Sequence, residues 1–209
     1  MSTQTNSRAS ASRRVPVRSL LARHRPRILV HLLALSPADR KLRFGYAASD
    51  ALIGRYAEQI DFIDDELIGI FNRRLEVVAM AHLAYAGDGL GSGEAEFGVS
   101  VADCARGRGW GARLFELAVL HARNRGVDTL VIHALTENAP MLRIVRAAGA
   151  QVILEGPDAL ARLALPPGDA LSRVDALIEH QVAEFDYGWK VNARCFGIWL
   201  GMCSQNRIP

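Results

Sequence analysis

Cysteine is scarce in this chain: Cys104, Cys195 and Cys203 are the three in 209 residues, with no CxxC pair and no His/Cys cluster at zinc spacing. An odd, dispersed set argues for a reducing, cytoplasmic setting and against a disulfide framework or a structural metal. Lysine is nearly missing; Lys41 and Lys190 stand alone and every other basic side chain is arginine, for which a GC-rich coding bias is the plain explanation. No apolar run approaches the roughly 18 residues needed to cross a membrane, so a membrane partner is not expected. Acid is absent from residues 1–27, which carry seven arginines, while the rest has 18 basic against 22 acidic side chains. A folded body of net negative charge argues against nucleic acid as a partner. Arg18, Arg23, His24, Arg25 and Arg27 interrupt any apolar stretch after Arg13-Arg14, so an export signal does not fit. Residues 1–26 are therefore expected to be a disordered Arg-rich tail.

What is present suits one soluble domain: 50% of residues are hydrophobic and 22% charged, enough material for a sizeable core. The apolar run ILVHLLAL (28–35) predicts a first strand. Ser36-Pro37-Ala38-Asp39 is a helix start, with cap, N1 proline and N3 acid in order, and Ser49-Asp50 opens a second helix. Glu66–Phe71 and Leu75–Tyr85 around Asn72-Arg73-Arg74 predict a hairpin. A glycine-rich turn (86–93) and a strand over Glu94–Val101 come next. A helix ending at Gly126, a strand over Thr129–Leu135, a helix over Asn138–Ala148 and strands at 151–154 and 159–165 complete the main body. Pro166-Pro167-Gly168 marks a boundary. Beyond it Leu171, Val174, Ile178, Val182, Phe185 and Trp189 predict a C-terminal helical extension (166–209), which packs on its own domain, makes a homodimer contact or walls an acceptor site.

Between the strand at 94–101 and the next helix lies ARGRGWGAR, three glycines and three arginines where a helix must begin. Glycine costs roughly 1 kcal/mol against alanine inside a helix, so a backbone approached closely by something is the economical reason. A tight strand-to-helix turn needs one or two glycines and no arginines. Gly107-Arg-Gly109-Trp-Gly111-Ala112 fits the dinucleotide fingerprint GxGxxA, but that motif belongs directly after a strand in a series of βαβ units, whereas here an antiparallel hairpin precedes it. The third reading is an anion cradle made of backbone N–H groups at a helix N-terminus, with Arg106 and Arg108 beside it.

Arg106-Gly107-Arg108-Gly109-Trp110-Gly111 resembles the Arg/Gln-x-x-Gly-x-Gly/Ala pyrophosphate motif of the GCN5-related N-acetyltransferase (GNAT) family. ENAPMLRIVRAAGA (137–150) is similar to its Asn-led helix closing in glycine. LSPADRKLRFGYA and AEFGVSVADCARGRGWG look especially like the acetyltransferase domain of bacterial protein-lysine acetyltransferases. The resemblance spans about residues 28–165, so the GNAT domain is placed at 27–165. It implies an α/β (α+β) fold with a central, mixed, largely antiparallel sheet flanked by helices. It also implies acetyl-CoA as co-substrate and no metal. Val99 and Val101 would pair with the pantetheine arm, amides from Arg106 through Gly107, Arg108, Gly109, Trp110 and Gly111 to Ala112 would hold the pyrophosphate, and Asn138 would sit near the thiol. The acceptor would be an amine, on a small molecule or a protein lysine.

Acetyl transfer needs a neutral amine, and an amine of pKa about 10.4 is neutral in roughly one molecule in 2,500 at pH 7, a cost of about 4.6 kcal/mol. A carboxylate is a suitable base. Glu96 sits ten residues before Arg106, where lysine acetyltransferases of this kind carry a strand glutamate, and Glu94 shares its strand face. If that face were enclosed, mutual repulsion and burial would raise at least one of the two carboxyl pKa values. The family's tyrosine acid is replaced by Val145, with Cys104, Ser100 and His133 as weak substitutes. A non-catalytic acyl-CoA-binding or sensing module is the competing function.

Overall fold

The computed structural model describes residues 16–85 and 93–166. In chain order these form β1 (Arg18–Ser19), α1 (Arg25–Leu33), α2 (Pro37–Phe44), α3 (Asp50–Gln59), β2 (Glu66–Phe71), β3 (Val77–Tyr85), β4 (Glu94–Val101), α4 (Trp110–Asn124), β5 (Thr129–Leu135), α5 (Ala139–Ala147), β6 (Gln151–Glu155) and β7 (Asp158–Ala164). The strands make one seven-stranded sheet in the order β1-β2-β3-β4-β5-β7-β6. Every neighbouring pair is antiparallel except β4 and β5, which run parallel.

Helices cover both faces of this sheet. On one, α4 and α5 bury Leu114, Phe115, Leu117, Met141 and Val145 against Phe97, Leu130 and Ile132, with the Phe97 and Phe115 rings edge to face at 5.2 Å. On the other, Ile28, Leu32, Leu35 and Ile53 close over Leu67, Phe71 and Met80. Sandwiching between two layers explains why β2 and β3 are apolar almost throughout rather than alternating.

The caps written in the sequence form as expected. Ser36 accepts the Asp39 N–H and Ser49 the Leu52 N–H; Gly126 and Gly149 follow α4 and α5 with positive φ. Two expectations are corrected. Residues 28–35 are not a strand but most of α1. Ile28, His31 and Leu32 are its buried positions, spaced i, i+3, i+4, the buried Leu35 follows just past its end, and a continuous apolar run conceals that helical period. The Arg-rich tail also ends earlier than residue 26. Arg18 and Ser19 pair with Gly69 and Ile68, the Leu20 N–H donates to the Leu67 carbonyl at 2.7 Å, and Arg18, Leu20 and His24 are buried. Several arginines here are structural pegs. Arg25 donates to the Ala57, Glu58 and Ile60 carbonyls at the end of α3, and Arg40 donates to the Leu33 carbonyl and to Asp50, each at 2.6 Å. Residues 1–15, most of the 86–93 turn and the expected C-terminal extension lie outside the described residues.

Candidate functional site

The parallel pair holds for a short distance only. β4 matches β3 from Ala95 to Val101, but it matches β5 only at Glu94, Ala95 and Glu96, opposite Thr129, Leu130 and Val131. Beyond Glu96 the two strands part, leaving Phe97–Val101 with an unpaired edge facing the gap. Backbone groups on such an edge seek a partner. Two cavities run through the gap, of about 590 and 490 Å³, and Leu42, Arg43, Val99, Asn138 and Met141 line both.

The larger cavity meets the start of α4. Gly109 is its N-cap, at φ +76°, with no side chain capping it, a conformation open to glycine and strained for other residues. The first intrahelical bond is donated by the Arg113 N–H to the Gly109 carbonyl at 3.0 Å. The amides of Trp110, Gly111 and Ala112 therefore precede the helical ladder and carry the positive end of its dipole. Gly107, Gly109, Trp110, Gly111 and Ala112 all line this cavity together with Val99, Val101, Arg106 and Asn138. The structure thus gathers nearly the whole expected coenzyme set around one cleft.

The arginines behave differently from expectation. Arg106 is ion-paired to Asp39 of α2 and, at 3.0 Å, to Asp103, so much of its charge is already matched. It braces the glycine loop against α2. Arg108 lies over the Trp110 ring at 5.3 Å. Across the cleft Lys41 of α2 pairs with Glu137 at 2.8 Å, so α2 is tied to both rims. Asn138 caps α5, its side-chain oxygen accepting the Met141 N–H at 3.2 Å, which leaves its NH₂ for a ligand.

Glu96 lines the smaller cavity, with Arg43, Tyr56, His133, Glu155 and Asp158. The condition for raised carboxyl pKa values, an enclosed Glu94/Glu96 face, is not met: both are exposed, and Glu94 is held by Arg162 at 2.5 Å. Val145, where the family tyrosine would stand, is fully buried in the core. Of the weak substitutes, His133 reaches the cavity wall and Cys104 is exposed. Ser100 lines the larger cavity, but its hydroxyl donates to His31 Nε2 at 2.8 Å, while His31 Nδ1–H donates to the Val77 carbonyl at 3.0 Å.

Sequence reasoning missed one constellation here. Arg43 donates to the Tyr56 hydroxyl at 2.8 Å, Tyr56 Oη lies 2.6 Å from His82 Nδ1, and His82 Nε2 lies 2.9 Å from Asp65. The Arg43 guanidinium rests on β4 where Gly98 offers no side chain; a Cβ there would come within 2.6 Å of Arg43 Cζ. Burial raises the Tyr56 phenol above its ordinary pKa, opposed by Arg43. Burial also lowers the His82 imidazole, opposed by its hydrogen bond to Asp65. Tyr56 reads in sequence as one more apolar position of α3, and nothing local connects it to a histidine 26 residues away.

No protein-family model matches the chain, and no curated protein matches it. Solved structures do. The GNAT domain of S. lividans PAT superposes with a TM-score of 0.60 at 23% identity, over 71% of this chain and 89% of that one. This is the GNAT fold. A GNAT superfamily phosphinothricin acetyltransferase from Sinorhizobium meliloti, solved in complex with AcCoA, matches 74% of this chain and 90% of its own at TM-score 0.56 and 16% identity. A cAMP-binding acyltransferase from Mycobacterium smegmatis matches 80% of this chain at TM-score 0.52 and 20% identity; the chain spans about half, 51%, of that protein. The splayed β4/β5 pair and the glycine-led α4 are where the GNAT fold of this chain makes its cleft.

Proposed function

We propose that the chain is an acetyl-CoA-dependent N-acetyltransferase that passes the acetyl group directly to a primary amine, on a small molecule or a protein lysine. The observation that carries this is the uncapped N-terminus of α4 opening onto the same cleft as the free edge of β4. Amides of Trp110, Gly111 and Ala112 would hold a pyrophosphate, with the glycines letting its oxygens reach the backbone. The β4 edge at Val99 and Val101 would bind the amide-bearing pantetheine arm, bringing the thioester towards Asn138.

The smaller cavity then takes the acceptor. Glu96, Glu155 and Asp158 on its wall suit an ammonium, and Glu96 is the group placed to take the proton that must leave before nitrogen can attack. The solvent access of Glu96 lets it pass that proton on to water. Among the described residues no group of three His, Cys, Asp or Glu side chains is arranged to hold a metal ion, and direct transfer asks for none.

Calorimetry with coenzyme A, followed by thiol release from acetyl-CoA over a panel of lysine peptides and small amines, tests the reading. Binding with amine-dependent thiol release is expected. Binding without turnover across the panel would leave the non-catalytic acyl-CoA sensor, and absence of binding would defeat both.

A further inference from the structure

An N-acetyl transfer has a second proton to manage. The ammonium loses one before attack; as the N–C bond forms and the C–S bond breaks, the nitrogen must lose another and the departing sulfur must gain one. The buried Val145 supplies no acid, yet the wall of the acceptor cavity carries a hydrogen-bonded chain that ends in a phenol.

We propose that Tyr56 is the proton carrier of the transfer step, with His82 and Asp65 as the positioning residues that hold it ready, an inference that rests on the acetyltransferase reading above. The hydrogen-bond roles follow from chemistry. The Asp65 carboxylate only accepts, so His82 Nε2 bears the hydrogen; Nδ1 of the neutral ring therefore accepts from the Tyr56 O–H. Arg43 donates to the same phenol oxygen. The oxygen thus passes its own proton to His82 Nδ1 while taking one from the attacking amine. The imidazolium so formed is held by Asp65, and any negative charge on the phenol by Arg43. The proton then returns through Tyr56 to the thiolate. One N–H proton is lost, one S–H is gained, and the relay ends as it began.

The charged and titratable groups facing this chain are Arg43 from α2, Asp65 from the turn before β2, and Glu96 from β4. Burial of the phenol keeps Tyr56 protonated at rest, and burial of the imidazole keeps His82 an acceptor, as the relay requires. Glu96 works earlier, on the first proton, so the two roles separate by experiment.

The test uses the full chain with acetyl-CoA and whichever lysine peptide or small amine turns over. Tyr56→Phe should lower kcat by about 10² to 10³, leaving the amine KM and the coenzyme A affinity within about twofold. Asp65→Asn should lower kcat and move the acid limb of its pH profile downward, because the carboxylate is what raises His82. A merely structural Asp65 would leave that limb in place. Nitrogen-15 spectra of the imidazoles provide a readout needing no acceptor: His82 should carry its hydrogen on Nε2, with a Nδ1 shift that changes in Tyr56→Phe. A Tyr56→Phe enzyme as fast as wild type, or a His82 protonated on Nδ1, would overturn the relay while the acetyltransferase reading stands. A wild type that binds coenzyme A yet acetylates no amine would overturn both.

Discussion

Lowering the pH from 7.5 to 4.5 should cost this protein about 2–3 kcal/mol of stability through one side chain, His31. Its imidazole is buried beneath β4, between the Val77 carbonyl and the Ser100 hydroxyl. Burial lowers its pKa from 6.5 to about 4, with the hydrogen bond to Val77 opposing and the charge of Arg43 assisting. The sign follows directly. Above pH 6.5 both folded and unfolded chains hold a neutral His31, and it contributes no pH dependence. Between 6.5 and 4 the unfolded chain binds a proton that the folded one refuses, so unfolding gains ground by up to roughly 1.4 kcal/mol per pH unit. Below 4 the penalty is constant. Carboxylates also titrate in this range, so the assay is a difference: urea unfolding of wild type and His31→Gln at half-unit steps of pH. The variant loses hydrogen bonds and should be less stable at pH 7.5 by about 1–3 kcal/mol, but it should decline less on acidification, closing most of that gap by pH 4.5. Parallel curves would show that the folded protein accommodates the charge and that the burial argument is wrong.

Gly111→Val should abolish coenzyme A binding by calorimetry with little change in unfolding midpoint, since the nearest side-chain atoms to an added Cβ are 3.6 and 3.9 Å away; unchanged affinity would remove the cradle. Removing residues 1–15 should leave stability intact. Removal through residue 26 strips β1 and the buried Leu20, and Leu20→Ala alone should lower unfolding free energy by about 2–4 kcal/mol, a loss that denaturant titration would reveal. Glu96→Gln should reduce turnover by about 10² to 10⁴ with acetyl-CoA binding kept, rescued in part at high pH. Glu94→Gln should lose far less, its carboxylate being engaged by Arg162, and the reverse order in a rate assay would move the base to Glu94.

The sequence by itself determined the features that depend on near neighbours. Ser36, Ser49 and Asn138 announce their helices because a capping side chain reaches only two or three residues ahead. Gly109, Gly126 and Gly149 mark helix boundaries because a left-handed residue is a local demand. The hairpin of β2 and β3 and the strand at 94–101 follow from short β-rich runs and turn residues, and the glycine-led start of α4 was legible for the same reason. Tertiary structure decided what depends on register and on packing between segments. Whether residues 28–35 become strand or helix turns on which faces the sheet offers to Ile28, His31 and Leu32, and both periods fit a continuous apolar run. Arg106 is claimed by Asp39 across 67 residues, a competition that motif spacing does not contain. Tyr56, His82 and Asp65 meet because β3 pairs with β2 and β4 and α3 packs where its phenol reaches His82. Hydrogen bonds between residues 17 and 26 positions apart leave no trace in local pattern, because each partner separately resembles an ordinary strand or helix residue.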